Sequence, residues 1–259
     1  MFDAKKYLER INFDGSAMPD EDSLKRLHRA HLMTVPYENF DIIKGMDFNL
    51  DEGSLFQKIV MRLRGGFCYE LNFLFARLLS ELGFQVKFLS ARIFNEDASL
   101  GPEYDHPVLL LTLGERWLAD VGNSRWFHTP ISIDQPGFQI RNGVAYRIEK
   151  AGDYYTLLQR NPDGDEMRQY RFSLKMRRAY EFSEMCSYKW TSPESRFTKG
   201  YIFSRITAEQ ARIVLTETKL SLIVNGMRTE RLLNNKAEFL SLLAQYANES
   251  YADEAKYRD

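Results

Sequence analysis

Cys68 is the residue whose setting most suggests chemistry, because it follows the turn RGGF and precedes an apolar run. A cysteine is a strong nucleophile only as a thiolate. Leucine and phenylalanine recur at helical spacing up to Gly83, which predicts a helix that begins at Cys68. The unpaired N–H groups and macrodipole of a helix N-terminus favour the thiolate. The pattern thus indicates a reactive cysteine, and a buried structural cysteine after a loop is the alternative.

A cysteine nucleophile needs a base, and the chain offers four histidines. His28 and His31 lie on a charged predicted helix, where we expect surface histidines. His128 follows an aromatic pair and has no evident carboxylate partner. His106, in the segment YDHPVLLLTLGERWLADVGNS, is therefore the candidate base.

The segment around His106 predicts a β-hairpin that brings a carboxylate to the base. PVLLLTL and RWLADVG have the pattern of antiparallel strands folded at Gly114-Glu115, so His106 and Asp120 fall at one end of the hairpin. A two-residue turn leaves them out of register, and direct contact then requires a bulge or a longer turn. A partly buried Asp120 needs a partner, and an imidazole N–H supplies one.

Two other pairings stay open at the level of sequence. Asp105 either caps its own turn or orients the imidazole of His106, although adjacent strand residues face opposite sides of a sheet. Asp120 has Arg125 as an alternative partner.

Helical spacing dominates the first third of the chain, and strand patterns follow from Gln85 onward. DAKKYLERI, DEDSLKRLHRAHL and DEGSLFQKIVMRLR predict helices before the one at Cys68, the third with Asp51 or Ser54 as its N-cap. Strands are predicted through QYRFSL and again over YIFSRIT, ARIVLTET and KLSLIVN, and NKAEFLSLLAQYANES predicts a closing helix. This order indicates an α+β protein of about three subdomains in one body.

The composition argues against several classes of function. The chain has 259 residues and a formal net charge of -1, so bulk charge predicts neither nucleic-acid nor membrane binding. No stretch is apolar enough for a signal peptide or a membrane span. Cys68 and Cys186 make no disulfide framework, and Cys186 matches no motif and is expected to be structural. We expect a soluble, cytoplasmic monomer or homodimer.

Several motifs occur in order along nearly the whole chain. They are RGGFCYELN from Arg64 to Asn72, the upstream HLMTVPYENFDI, the histidine block at His106, DVG from Asp120, and SPESRFT. Together they resemble the blocks of the arylamine N-acetyltransferase family, whose first two are Arg-Gly-Gly-x-Cys-x-Glu-x-Asn and His-x-x-x-Val-Pro-Phe-Glu-Asn-Leu.

The resemblance implies a triad of Cys68, His106 and Asp120. It implies a ping-pong reaction without a metal, in which Cys68 takes the acetyl group of acetyl-CoA as co-substrate. An arylamine, arylhydroxylamine or hydrazine then receives that group. The subdomains that it implies are a helical bundle (1–83), a central β-barrel (84–190) and a C-terminal α/β lid (191–259).

Supporting roles come from the same resemblance. Arg64 and Glu38 are expected to form a buried ion pair beneath the catalytic loop, so that loss of either is costly because the partner charge stays buried. The expected acceptor-pocket residues are Tyr37, Ile93 and Phe203.

One departure from the family concerns the residues after Asp-Val-Gly. Family members commonly continue with Phe-Gly, whereas this chain has Asn123 and Ser124. This stretch lies near the pocket and the coenzyme path of family members, so we expect both residues to contact the acyl donor. Weak or altered use of acetyl-CoA follows as an expectation.

Three other functions compete with acetyl transfer. A thiol protease or transglutaminase-like hydrolase would use the same three residues, but a papain-like CGSCW pattern is absent from the sequence. An amide synthase of the same fold would prefer longer acyl thioesters. An inactive homologue acting as a binding protein is disfavoured by the intact triad.

Overall fold

Helices occupy the N-terminal third of the chain, as the apolar spacing predicts. The structure is a computed structural model that describes residues 2–123, 127–162, 164–207 and 211–251. Asp20 and Asp51 cap the second and fourth helices by accepting hydrogen bonds from the backbone N–H groups three residues on. The helices of this part are α1 (Ala4–Arg10), α2 (Glu21–Thr34), α3 (Phe40–Ile43), α4 (Glu52–Phe56), which a π-helical turn (Gln57–Met61) continues, and α5 (Cys68–Glu81).

An antiparallel sheet of eight strands follows and curls into a nearly closed barrel. Gln139 links its two edge strands, since its Oε1 accepts a hydrogen bond from Ser132 N (2.9 Å) and its Nε2 donates to Ser132 O (2.8 Å). Where the two edge strands meet, hydrogen bonds from one buried side-chain amide thus take the place of backbone–backbone hydrogen bonds. In the order of pairing, the strands are β5 (Ile131–Ser132), β4 (Glu115–Ala119), β3 (His106–Leu113), β2 (Val86–Ile93), β9 (Glu166–Arg177), β8 (Tyr154–Arg160), β7 (Val144–Ala151) and β6 (Gln139–Arg141).

A second, five-stranded antiparallel sheet is built from both ends of the chain. Its first strand comes from the helical part, and the others follow the helix α6 (Ser183–Thr191). One face packs against the C-terminal helix α7 (Lys236–Tyr246), with Phe203, Leu215 and Phe239 in a common apolar cluster. The strands pair in the order β1 (Tyr37–Glu38), β10 (Ile202–Ile206), β11 (Arg212–Thr216), β12 (Lys219–Val224) and β13 (Met227–Leu232).

The turn before α5 is bonded to the first strand of that second sheet. Glu38 N donates to Gly66 O (2.9 Å), and Gly66 N donates to Pro36 O (3.3 Å). On its other side, β1 pairs with β10, with Glu38 opposite Phe203. The turn that delivers Cys68 is therefore held by a sheet whose remaining strands lie more than 130 residues further along the chain.

Two expectations drawn from the sequence are wrong. His28 and His31 are fully buried rather than on the surface, because the charged side chains of α2 cover only its outer face. The hairpin of β3 and β4 contains no bulge, and Gly114 alone separates the paired residues Leu113 and Glu115. Among the described helices, none combines the length and apolarity needed to cross a bilayer.

Four of the strands were not predicted from the sequence. β1 and β5 have only two residues each, too few for a period-2 pattern to register. β6 and β13 belong to hairpins closed by Asn142-Gly143 and Asn225-Gly226, in which both residues have positive φ. Asn-Gly is the residue pair that such two-residue turns favour, so the signal for these two hairpins is present in the sequence.

Gly65→Ala is expected to destabilise the fold by more than about 2 kcal/mol, because an overpacked backbone contact has no room to relax. A Cβ at position 65 would lie 2.1 Å from Pro36 O. Gly53→Ala is the matched control: it adds a methyl inside α4, 3.2 Å from the Asp51 carboxylate, where alanine favours the helix. Urea unfolding measures both, and equal stabilities would contradict the tight contact at Gly65.

Candidate active site

His106 and Asp120 are in direct contact across the β3–β4 hairpin. His106 Nε2 lies 2.8 Å from Asp120 Oδ2, and both side chains are buried. Leu109 pairs with Ala119, so the next step of the ladder sets Asp120 opposite Val108. Residues 106 and 108 share one face of β3, and the contact is therefore a diagonal across the strands that needs no bulge.

Cys68 is the first residue of α5 and is hydrogen-bonded to His106. Cys68 is 3% exposed, and the contact of Asp120 with Nε2 leaves Nδ1 of the imidazole for the Cys68 sulfur. Burial disfavours the charged imidazole, but the Asp120 charge and the hydrogen bonds with Asp120 and Cys68 outweigh it and raise the pKa of His106 to about 10. The raised pKa favours the protonated form of His106 at neutral pH, beside the Asp120 carboxylate and the Cys68 sulfur.

The second carboxylate oxygen of Asp120, Oδ1, also has hydrogen-bond partners. Asp120 Oδ1 accepts hydrogen bonds from Asn72 Nδ2 (2.9 Å) and from Gly122 N (3.0 Å). A carboxylate with 0% exposure would otherwise carry a large desolvation penalty. These two hydrogen bonds and the contact with His106 fix the position of the Asp120 carboxylate, and with it the plane of the His106 ring.

Asn72 joins the nucleophile helix to both strands of the hairpin. Its Nδ2 also donates to Pro107 O (2.8 Å), and its Oδ1 accepts from Val121 N (3.0 Å). At Gly122 the two parts approach so closely that a Cβ would lie 2.5 Å from Asn72 Nδ2 and 2.6 Å from Cys68 O. The sequence marked Asn72 and Gly122 only as motif positions, because the contact between them spans about fifty residues of chain.

His28 is a contact of Asp120 that was not predicted from the sequence. His28 Nε2 accepts a hydrogen bond from Asp120 N (3.1 Å), and its Nδ1 donates to His128 O (3.0 Å). Its ring stacks on Phe127 with centroids 5.8 Å apart. Burial lowers the pKa of His28 to about 4, so the ring is neutral and one nitrogen is free to accept. A signal for it would have been the apolar face of α2, on which Leu24, Leu27 and His28 all lie.

The loop before His106 is anchored from two helices. Lys189 on α6 is ion-paired with Asp105 Oδ1 (2.5 Å) and Tyr69 Oη on α5 donates to Tyr104 O (2.7 Å). Tyr104 has φ +63°, an unfavourable backbone conformation for an aromatic residue. Asp105 is thus engaged with Lys189, and the orienter of His106 is Asp120.

Buried charges support the turn that carries Cys68. The predicted Arg64–Glu38 ion pair is present at 2.9 Å. Glu70, within α5, accepts from Phe67 N (3.0 Å) and from Lys58 Nζ (2.8 Å). Burial raises the pKa of Glu70, and the Lys58 charge opposes that effect. The turn is therefore attached to carboxylates on both sides of the nucleophile.

The three expected acceptor-pocket residues lie in different surroundings. Tyr37 is 6% exposed and lines a cavity beside β1. Ile93 ends β2 half-buried, with its N–H 3.3 Å from Asp105 Oδ2. Phe203 is fully buried and packs edge-on against Tyr251, on the α7 side of the second sheet. This placement makes Phe203 a core residue.

Known proteins resemble this chain over most of its length. A sequence model of an N-acetyltransferase family matches residues 20–249. The arylamine N-acetyltransferase of Escherichia coli is 32% identical, over 92% of this chain and 84% of that protein. The chain belongs to the arylamine N-acetyltransferase family. Its predicted class, an acyltransferase enzyme, is thereby confirmed.

Two further members of the family bear on fold and substrate. The Mycobacterium marinum arylamine N-acetyltransferase, solved in complex with CoA, superposes with a TM-score of 0.89 at 28% identity, over 97% of this chain and 94% of that one. The α+β fold class is confirmed by this likeness. Proansamycin X synthase of Amycolatopsis mediterranei is 27% identical, over 95% of this chain and 96% of that protein.

The stretch in which this chain departs from the family pattern supports Asp120. Asn123 is buried, and its Nδ2 donates to Asp120 O (2.5 Å), while its own carbonyl accepts from Arg212 Nη1 (3.2 Å). Ser124 and Arg125, for which roles were expected from the sequence, lie outside the described residues. Cys186 is fully buried in the apolar cluster of the helices.

Within the described ranges, no group of three or more His, Cys, Asp or Glu side chains is arranged to hold a metal ion.

His28→Leu is expected to lower the free energy of unfolding by about 1–3 kcal/mol, because it retains an apolar side chain beside Phe127 but leaves the buried Asp120 N–H without its acceptor. Urea unfolding of both proteins measures the difference. A variant as stable as the parent would show that this hydrogen bond contributes nothing.

The stability that His106 confers is expected to fall as the pH rises from about 6.5 to about 10. Its pKa lies at 6.5 when unperturbed and near 10 in the fold, so the fold favours the protonated ring. This contribution is complete below the first value and lost above the second. Unfolding free energies of the parent and of His106→Gln, measured across this window, should converge as the pH increases. A constant or widening difference would contradict the raised pKa.

Proposed function

We propose that this chain transfers an acetyl group from acetyl-CoA to an arylamine, arylhydroxylamine or hydrazine, through an acetyl-Cys68 intermediate. The observation that carries the proposal is the hydrogen-bonded series of Cys68, His106 and Asp120. Membership of the family supports the reaction type, and the CoA complex of the Mycobacterium marinum enzyme supports the donor. Cys68 is the nucleophile in this proposal, His106 the acid and base, and Asp120 the orienter.

In the first half-reaction, the Cys68 thiolate attacks the thioester carbonyl carbon of acetyl-CoA. A bond forms between the Cys68 sulfur and that carbon, and the bond from the carbon to the CoA sulfur breaks. The leaving CoA sulfur takes the proton of the His106 imidazolium. The raised pKa of His106 favours this step, because the ring is protonated at neutral pH before the donor binds.

In the second half-reaction, the amine nitrogen attacks the carbonyl carbon of acetyl-Cys68. The carbon–sulfur bond breaks, Cys68 leaves as a thiolate, and the neutral His106 accepts the proton that the amine loses. The starting pair of thiolate and imidazolium is restored. Asp120 stays ionised throughout and holds Nε2, so that Nδ1 keeps facing the sulfur.

Some residue roles remain predictions within this proposal. Tyr37 and Ile93 are retained as acceptor-pocket residues, since each lies next to a loop that carries a member of the triad. Contact of Asn123 and Ser124 with the acyl donor also stays a prediction. For Asn123 such a contact would go through its backbone or require its side chain to leave Asp120 O.

The amide synthase alternative has one observation in its favour. Proansamycin X synthase matches this chain over nearly its full length, at an identity only slightly below that of the acetyltransferases. Family membership therefore does not by itself choose between acetyl and longer acyl groups. The two functions can be distinguished by the rates at which acetyl, butyryl and octanoyl thioesters acylate Cys68 at equal concentration. An acetyltransferase should react fastest with the acetyl thioester, and an amide synthase with a longer one.

Brief exposure to acetyl-CoA without an amine is expected to add one acetyl group to Cys68. Peptide mass spectrometry locates the group, and Cys186 serves as an internal control. Burial raises the pKa of the Cys186 thiol well above its ordinary value, so this cysteine should remain unmodified. Adding aniline should then remove the acetyl group from Cys68.

Two variants complete this test. Cys68→Ala should retain the fold but lose acetylation and acetyl transfer, whereas Cys186→Ala should retain transfer in whatever fraction folds. Transfer by the Cys68→Ala protein at the parent rate would refute the covalent mechanism. Acetylation of both cysteines at equal rates would refute the activation of Cys68 by His106.

A further inference from the structure

Arg212 is a buried arginine to which the reaction described above assigns no role. It is the first residue of β11, in the second sheet, and it is 3% exposed. Its Nη1 donates a hydrogen bond to Asn123 O (3.2 Å), in the turn that follows β4 and carries Asp120. Arginine is rarely buried to this extent unless an opposite charge or suitable acceptors compensate it. The surroundings of Arg212 therefore bear on what its charge does.

Arg212 is connected to Asp120 in two ways. Asn123 Nδ2 donates to Asp120 O (2.5 Å), so a chain of two hydrogen bonds runs from the second sheet to Asp120. The other connection is electrostatic. Burial lowers the pKa of Arg212 to about 10, and Tyr146 and Asp120 act in the opposite direction. Arg212 is thus a cation at neutral pH, and its charge interacts with that of Asp120.

The other titratable groups around Arg212 are neutral or cationic. Burial lowers the pKa of His28 on α2 to about 4 and that of His128, after β4, to about 3, and the charge of Arg212 contributes to both shifts. Burial raises the pKa of Tyr146 on β7. Arg141 on β6 is a second cation, and it donates to Pro130 O (3.2 Å). Asp120 is therefore the anion on which Arg212 is shown to act.

Arg212 faces protein groups and no ligand site. It lines a cavity of only about 20 Å³, together with His128, Asn142 and Tyr146. Such a volume admits about one water molecule and no organic ligand. The charge of Arg212 is therefore available to the neighbouring turn and is not needed to bind a substrate there.

The reaction itself creates a need for a second cation. Attack by Cys68 requires the thiolate, and the site then holds two anions, Cys68 and Asp120, beside one cation, the protonated His106. A low-dielectric interior disfavours such an excess of one sign. Arg212 supplies the compensating positive charge from the second sheet.

The remaining titratable neighbours of the sulfur and the ring do not supply it. Tyr69 on α5 and Cys186 on α6 interact electrostatically with Cys68, and the ring of Tyr170 on β9 lies 6.0 Å from that of His106. Burial raises the pKa of all three groups, so they stay neutral.

We propose that Arg212 is a positioning residue of the triad, which holds the turn of Asp120 through the Asn123 carbonyl and stabilises the ionised Asp120 and Cys68 by its charge. The proposal rests on the proposed function, since it concerns the same three residues. It gives Asn123, one of the two departures from the family pattern, the role of connecting Arg212 to Asp120. It also makes the reactivity of Cys68 depend on how the second sheet docks on the barrel.

The pH dependence of Cys68 alkylation tests the proposal without an acyl donor. Iodoacetamide is uncharged, and peptide mass spectrometry gives the rate at Cys68 for the parent and for Arg212→Gln. Removal of a nearby positive charge makes any proton of the site harder to release. The acid limb of the rate profile should therefore move to higher pH by about half a unit or more, about a threefold lower rate on the limb. Above the limb the two profiles should converge.

Two further variants assign the effect to the charge of Arg212. Arg212→Lys retains the charge and should keep the acid limb close to that of the parent. Arg205→Gln is the matched control in the same sheet. Arg205 pairs with Ile213, the neighbour of Arg212, so its side chain lies on the opposite face, where it donates to Tyr246 O (3.0 Å). This control should keep the parent limb even where it lowers stability.

A purely structural role for Arg212 predicts a different result. Arg212→Gln would then lower the free energy of urea unfolding, and its folded fraction would alkylate with the pH dependence of the parent, which would overturn the proposal. An equal shift in the lysine variant would also overturn it, because charge would not be the cause. If Arg212→Gln does not fold, Arg212→Met carries the same test, since an apolar side chain of similar length suits a buried position.

The proposed function and this inference can fail separately. A parent protein that forms no acetyl-Cys68 but shows the shifted limb in Arg212→Gln would refute acetyl transfer and retain the role of Arg212. Acetylation of Cys68 in the parent, with an unshifted limb in the variant, would refute the role of Arg212 alone.

Discussion

A carboxylate with no contact to water must have its oxygens satisfied by the protein, and in this structure Asp120 meets that requirement with groups from three parts of the chain. His106 takes one oxygen, while Asn72 and Gly122 share the other. Its backbone N–H is bound by His28. Because an unpaired buried charge is so unfavourable, these groups are constrained together. The helices α2 and α5 and the β3–β4 hairpin meet at this one residue.

The arrangement around Cys68 follows from the same requirement. Asn72 lies on the nucleophile helix, so the hydrogen bond that satisfies Asp120 also determines how that helix sits against the hairpin. On the other side, Glu70 receives Lys58 and the N–H of Phe67, and Arg64 pairs with Glu38. The reacting sulfur is thus placed by polar contacts between buried groups, which tolerate little displacement. Such contacts keep the Cys68 sulfur and the His106 imidazole aligned.

Much of this site can be predicted from the sequence. The helix at Cys68, the β3–β4 hairpin and the two residues at its end all follow from local periodicity and turn residues, and the motif blocks group the three residues together. Contacts between residues far apart in the chain cannot be predicted in this way. His28 belongs to a helix with many charges. Its burial depends on residues of the segment after β4 that contact it, namely Asp120, Phe127 and His128. Phe203 likewise sits in a strand whose two faces cannot be told apart until α7 is in place.

The sequence by itself determined the α+β order of elements, the candidate nucleophile with its candidate partners, and the family resemblance, because each depends on neighbouring residues or on spacing within a short block. The tertiary structure alone showed that Phe203 lies on the α7 side of the second sheet, within an apolar cluster. It also showed that His106 reaches Asp120 by a diagonal and that His28 holds the Asp120 backbone. These features depend on packing between segments far apart in the chain. Their distances are set by the burial of apolar faces and by the hydrogen bonds that buried polar groups must find, and neither can be read from a linear pattern.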